Sequence, residues 1–255
     1  MTHKTLSRPR LSGYDTAMGR TLGRFWRRFT GSVRRRGLLR TLARAPRAAA
    51  IAAGGITDGF FDYRHGTETR RIVELADLRI ASPNKERGIR CEPTHTRSFQ
   101  RLVQLLRLPT DGGFVDFGCG KGRVLIMAAE YGFQRVTGVE FSEELCGVAR
   151  ANVASFLSLS ETAPDIRVLH MDAVDYEVQE DDTVFYFFNP FDATVLERVA
   201  GRIVASLERV PRRASIIYLN PLWPEAIEKY GKFERLLTRE FEGRRFDVYA
   251  CGNKR

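Results

Sequence analysis

The chain has 255 residues, 43% hydrophobic and 28% charged, an ordinary globular mixture sufficient for one α/β domain with extensions. Its net charge of +10 suggests a nucleic-acid binder until it is located: residues 1–50 hold 13 Lys or Arg and one acid, Asp15, while residues 51–255 hold 28 basic and 30 acidic residues. The basicity is therefore a tail on a near-neutral body, which excludes a uniformly cationic protein.

In chain order, the tail comes first. "GRTLGRFWRRFTGSVRRRGLLRTLARAPRAAA" interleaves arginines with Leu, Phe and Trp in a loosely helical pattern, and residues 1–55 read as a basic helical N-terminal extension. A solvated helix, a helix lying on an anionic membrane or RNA surface, and an organellar transit peptide all fit that pattern. No apolar run approaches the ~20 residues of a membrane span. A secretory signal is not expected, since "AAAIAAGG" comes late and is weakly apolar. Cys91, Cys119, Cys146 and Cys251 are widely spaced, with no C-x-x-C and no nearby His pair. They read as free thiols in a reducing compartment, with neither disulfides nor a zinc site. A cytoplasmic protein is expected, with peripheral membrane attachment through the tail as the variant.

Residues 56–110 read as a helical and loop lid leading into a core over 111–255. A helix is expected over 96–108. Beyond it, short apolar runs alternate with amphipathic stretches: strands at 113–118, 135–141, 166–172, 183–189 and 214–220. Helices are expected at 122–132, after an N-cap at Ser142, and at 194–210. Apolar strands separated by helices imply a parallel sheet covered on both faces. The segments 233–241 and 244–252, joined by only Glu242-Gly243, read as an antiparallel hairpin. The expected fold is an α/β three-layer sandwich, a mostly parallel seven-stranded sheet with a C-terminal antiparallel hairpin.

"FVDFGCGKGRVL" sits between the first strand and its helix, where an open α/β sheet binds ligands. Gly118 and Gly120 allow a sharp turn and a close backbone approach. The dinucleotide fingerprint needs glycine where Arg123 stands, and "GKGR" is not a P-loop. With Asp116 two residues ahead of the glycines, the passage resembles motif I of the class I S-adenosylmethionine-dependent methyltransferases. That resemblance covers roughly residues 90–255 and implies S-adenosylmethionine as cofactor. It implies that Asp116 helps hold the ammonium of the cofactor's methionine end and that Gly118 and Gly120 let that end pack on the backbone. Glu140, at the end of the second strand, would accept from both ribose hydroxyls, and Asp172, at the end of the third, would meet the adenine amino group. The segments "FDYRHGTETR" and "CEPTHTRSF" are similar in layout to small bacterial members and, distantly, to non-SET lysine methyltransferases. This makes Tyr63, Gly66, Thr67 and Thr94 lid or cofactor-contact candidates, beside ordinary turn and cap roles. His65 and His95 lie in the same segments.

"FYFFNPFD" ends the fourth strand. In amino methyltransferases of this class the corresponding motif is Asn or Asp, two prolines, then an aromatic. Carried over, Asn189 would orient an acceptor amine through its carbonyl, and Pro190 and Phe191 would complete the wall. Only one proline is present, which weakens a nucleobase reading, and a plain turn closing a strand also fits. A second Asn-Pro pair, Asn220-Pro221, ends the fifth strand; it either shares an acceptor pocket with Asn189 or marks a turn.

The expected activity is transfer of a methyl group from S-adenosylmethionine to an amine, with protein lysine foremost and no metal. The alternatives are a small-metabolite or nucleic-acid methyltransferase, for which the basic tail would contact an anionic partner, and a cofactor-binding module without catalysis.

Overall fold

The computed structural model describes residues 57–252. The basic tail at 1–55 and its expected helix lie outside them.

Why the strand runs are continuously apolar is visible in how they divide. Successive side chains point to opposite faces, and helices cover both. β1 (Gly113–Phe117) and β4 (Asp182–Phe187) send Val115, Phe117, Phe185 and Phe187 to one side. There they meet Val195, Leu196, Val199 and Ile203 of α5 (Ala193–Arg209). Phe114, Val184 and Tyr186 go to the other side, against Phe99 and Leu102 of α2 (Thr96–Leu106) and Leu125 and Ile126 of α3 (Arg123–Tyr131). Phe117 and Phe187 stack at 5.0 Å between centroids, each burial worth about 1.5–3 kcal/mol.

The remaining elements are the helical residues 57–65 (α1), β2 (Arg135–Glu140), α4 (Glu143–Leu159), β3 (Asp165–His170), β5 (Ala214–Leu219), α6 (Glu225–Glu228), β6 (Glu234–Phe241) and β7 (Arg244–Cys251). Ser142 caps α4, accepting from the Leu145 amide at 3.3 Å. The seven-stranded sheet has the order β3-β2-β1-β4-β5-β7-β6. β1 to β5 pair in parallel, and β7 lies antiparallel to both β5 and β6. The order reverses at β1, where β2 and β4 lie on its two sides, so the carboxyl ends of these three strands open a crevice.

Residues 66–95 form a strap over that crevice. It is held to itself by a Val73–Cys91 bridge and to the β4 exit by a Gly88–Phe191 bridge. The Ile89 amide donates to the Pro190 carbonyl at 3.0 Å, and the Asp192 amide to the Arg87 carbonyl at 2.8 Å. The segment expected as a helical and loop lid is thus hydrogen-bonded along the Asn-Pro-Phe turn.

Candidate active site

After β1 the chain bends through Gly118, Gly120 and Gly122, at φ of +77°, +53° and +82°, before entering α3. L side chains rarely adopt this region. Packing adds a second requirement: a Cβ on Gly118 would lie 2.5 Å from that of Pro190, and one on Gly120 would lie 2.6 Å from Cys91 Sγ. The neighbours that exclude a side chain here belong to the protein itself. Glu140 holds the bend, its Oε2 accepting from the Gly120 amide at 2.9 Å and its Oε1 from the Ser142 amide at 3.0 Å.

Above the bend is a cleft walled by Asp116, Glu140, Tyr186, Phe188 and Pro190. Asp116 and Glu140 are both buried. Burial, then the charge of Glu140, pushes the Asp116 carboxyl well above its usual range, and no hydrogen bond or ion pair reaches it from the described residues. Burial also pushes Glu140 up, against the pull of the Ser142 and Gly120 amides. Two nearby cations are already taken, Lys121 by Glu68 at 2.9 Å and Arg123 by Asp58 at 2.7 Å. Two buried carboxylates without a cation are costly on their own. Thr94 lines the same cleft, its hydroxyl 2.9 Å from that of Tyr186.

Gly118, Phe141 and Pro190 also wall a second, adjoining recess, with Val139, Met171 and Phe191 as apolar sides. Asp172 is at its edge. Its Oδ1 accepts from the Val174 amide at 3.1 Å, and its Oδ2 accepts from the Ser82 hydroxyl and from Asn84 Nδ2, the latter at 2.9 Å. The recess suits a flat, weakly polar ring.

The β4 exit is arranged differently from the sequence expectation. Asn189 has φ +44° and borders neither cavity; its Oδ1 accepts from the Tyr218 hydroxyl at 3.2 Å. Phe191 belongs to the second recess, and the aromatic wall of the first cleft is Phe188. Asn220 likewise borders neither cavity. Its amide donates to the Arg245 carbonyl at 2.7 Å and its Oδ1 accepts from the Arg245 amide at 3.3 Å, which closes the β5–β7 pairing.

Among the lid candidates, Tyr63 is 85% exposed. Gly66 lies on Ser155, whose hydroxyl donates to the Gly66 carbonyl at 3.0 Å, and Thr67 donates its hydroxyl to Asp62 at 2.9 Å. Neither Gly66 nor Thr67 walls the two cavities. His65 is buried between Phe61 and Phe156, and His95 Nδ1 lies 2.6 Å from Asp58.

The residue the sequence used only for exclusion proves central. Arg123, 3% exposed, pairs with Asp58 at 2.7 Å and Asp62 at 3.5 Å and donates to the Thr69 hydroxyl at 2.7 Å. It thereby fastens α1 and the strap to the helix that follows the glycine bend. An arginine breaking a glycine fingerprint immediately before an apolar helix was the available signal.

Residues 114–212 match a family model described as a methyltransferase domain. Over residues 114–212 the chain is similar to a methyltransferase domain, and its sheet order is that of a Rossmann-like α/β fold. The match runs from β1 past α5 and takes in every wall of the crevice that follows the strap. A protein-lysine N-methyltransferase of Saccharolobus islandicus (strain REY15A) is 32% identical over 62 residues, 24% of this chain and 38% of that protein. The chain thus spans under half the length of that relative. Among solved structures, an RNA methyltransferase from Salinibacter ruber in complex with S-adenosyl-L-homocysteine is 17% identical, with a TM-score of 0.48 over 64% of this chain and 95% of that one. Magnesium protoporphyrin IX methyltransferase from Synechocystis PCC 6803 with bound SAM is also 17% identical, with a TM-score of 0.46 over 62% and 80%.

The donor of this family, S-adenosylmethionine, carries a sulfonium, an ammonium, a ribose diol and a base. The chain's own residues fit it: buried carboxylates lacking a cation, and an apolar recess edged by Asp172. Among the described residues no His, Cys, Asp and Glu cluster could hold a metal.

Proposed function

We propose that this protein transfers the methyl group of S-adenosylmethionine to an amine, foremost a protein lysine. The reading is carried by the geometry of Asp116 and Glu140, two carboxylates beside the glycine bend that burial pushes up and that no ion pair reaches among the described residues. When bound, S-adenosylmethionine supplies a methyl group on a positively charged sulfur, open to in-line displacement. Asp116 would hold the ammonium of its methionine end. Glu140 would take the ribose hydroxyls on the lone pairs its two amide donors leave free. Asp172, with Phe141, Met171 and Phe191, would hold the base, and Thr94 would close the cleft from the strap side.

On the acceptor side, Asn189 spends one lone pair of its carbonyl on Tyr218 and keeps a second for an acceptor N–H. Pro190 forms the partition between the two cavities, and Phe188 gives the acceptor an aromatic wall. A lysine ammonium has no lone pair, and a poorly solvated wall of Phe188, Tyr186 and Pro190 favours its neutral form. Orientation and desolvation then do most of the work. The lysine preference draws support from the name of the Saccharolobus relative; the one-proline turn disfavours a flipped nucleobase.

Incubation with radiolabelled donor and fractionated lysate tests the reading. Label is expected in protein, recovered as methyl-lysine after hydrolysis. Label confined to nucleic acid or small molecules would overturn the acceptor class, and thermal stabilisation by NAD rather than S-adenosylhomocysteine would overturn the donor.

A further inference from the structure

α1 has two faces of opposite character. Inward, Asp58 and Asp62 pair with Arg123, whose guanidinium lies 5.1 Å from the Phe61 ring centre, and His65 packs edge-on to Phe61 at 4.6 Å. Outward, Phe60 is 65% exposed and Tyr63 85% exposed. Three residues apart on a helix, they share one side. The inward contacts fix the helix, so these rings face out from a rigid support.

Their surroundings are cationic. Arg64, next to Tyr63, is exposed and has Glu130 only at 3.7 Å. The Arg70 guanidinium lies against the helix at Gly59, where an added Cβ would meet its Nη1 at 2.5 Å, with Asp62 only at 4.0 Å. Arg71 is exposed beside it, and the other acid of the same groove, Glu68, is taken by Lys121 at 2.9 Å. The 50 residues that precede this segment in sequence add 13 basic residues against one acid, with Leu, Phe and Trp among the arginines.

A partner for this face must accept both aromatic rings and arginines. An anionic bilayer does so: rings settle at headgroup level while arginines meet lipid phosphates. Single-stranded nucleic acid also takes rings and arginines, but the aliphatic residues of "GLLRTLARA" gain nothing from stacking on bases and do gain from the acyl boundary. We propose that the Phe60–Tyr63 face of α1, flanked by Arg64, Arg70 and Arg71, docks on an anionic membrane surface. This surface is independent of the methyl-transfer reading. Because the opposite face of α1 is fastened through Arg123 to the helix after the glycine bend, docking sets the donor cleft close to the membrane.

The test uses the full chain in co-sedimentation with phosphatidylcholine vesicles, with and without phosphatidylglycerol. Binding is expected only with phosphatidylglycerol and falls as salt rises. Phe60→Ser with Tyr63→Ser weakens it at least tenfold, and Arg64→Gln, Arg70→Gln and Arg71→Gln together weaken it similarly, with thermal melting unchanged. Tyr63→Ser alone, at the more exposed site, serves as a milder variant should the double substitution melt early; it weakens binding severalfold. Three results would overturn the proposal: no binding to phosphatidylglycerol vesicles; binding that survives loss of both rings, which assigns it to the tail alone; or displacement of the vesicles by a single-stranded RNA oligonucleotide whose own affinity needs Phe60 and Tyr63.

Discussion

Arg123→Met removes the cation that joins α1 to the helix behind the glycine bend while keeping an apolar stem of similar length. The substitution strands Asp58, which retains His95 Nδ1 at 2.6 Å, the Thr96 amide at 2.9 Å and the Thr96 hydroxyl at 3.0 Å. Breaking a buried ion pair by removing one partner costs about 3–5 kcal/mol, and these surviving bonds place the loss toward the lower end. At about 2–4 °C per kcal/mol for a chain of this size, a loss of about 3 kcal/mol lowers Tm by about 6–12 °C. The loss depends on pH. Burial pushes Asp58 up, but hydrogen bonds from His95 and Thr96 and the Arg123 charge outweigh it, and the folded carboxyl sits below its usual 3.8. A depressed carboxyl contributes stability above its unfolded value and loses it as pH falls through the folded one. The gap between wild type and Arg123→Met is therefore widest at neutral pH and narrows as pH falls below the unfolded value of 3.8. Urea unfolding followed by circular dichroism in both pH ranges measures it. Asp58→Asn added to Arg123→Met removes the stranded charge and recovers part of the loss. A single variant within about 1 kcal/mol of wild type at neutral pH, or a double variant no better than the single, refutes the reasoning.

Asp116→Asn should stabilise the protein without ligand by about 1–3 kcal/mol at neutral pH. A carboxyl raised by burial loses folding stability as pH climbs from its unfolded toward its folded value, and the amide does not. The same change should weaken S-adenosylhomocysteine tenfold or more by calorimetry; a less stable variant, or one of unchanged affinity, contradicts this. Gly118→Ala should cost at least about 2 kcal/mol, from its φ of +77° and the Pro190 collision. Gly147→Ala, in α4 with nothing within 4 Å of the added methyl, should gain about 0.5–1 kcal/mol; thermal melts that rank the pair otherwise defeat the argument. Tyr218→Phe frees the Asn189 amide and should lower kcat about tenfold with donor-product affinity intact, so an unaltered kcat removes Tyr218 from positioning.

Much of this architecture was legible in the chain because its cues are local. β1, β2, β4 and β5 fall within one or two residues of their expected ends, since each is an apolar run closed by Gly, Asn or Glu. The Glu242-Gly243 turn announces the hairpin by having no room for a helix. The strap was not legible in the same way. Its ties, Lys121–Glu68, Asn152 Oδ1 to the Glu68 amide and Ile89 to Pro190, join residues far apart in sequence and leave no periodicity. The two Asn-Pro turns show the limit most clearly. They are alike as sequence and nearly alike in backbone, at φ +44° and +48°. Only the antiparallel neighbour of β5 gives Asn220 a backbone partner on Arg245, while the β4–β5 register, pairing Phe187 with Tyr218, brings Tyr218 to Asn189.

Position 123 connects the glycine bend to α1 and the strap. In a dinucleotide site a glycine there allows the helix to pack closely on the strand; here the same first turn carries a buried guanidinium reaching Asp58, Asp62, Thr69 and Thr96. Lifting residues 58–69 from the cleft would expose these pairs and break Lys121 from Glu68 as well. The stretch from 70 to 93 is held by lighter means, the isolated bridges at Val73 and Gly88 and the Ser82 and Asn84 bonds to Asp172. Those last bonds end on the very carboxylate that edges the second recess. A ligand ring reaching Asp172 would find a lone pair of Oδ1 free beside the Val174 amide, so the recess can fill with the Ser82 and Asn84 bonds in place. Residues 58–69 are thus tied down by buried ion pairs, and residues 70–93 only by isolated bridges and single hydrogen bonds.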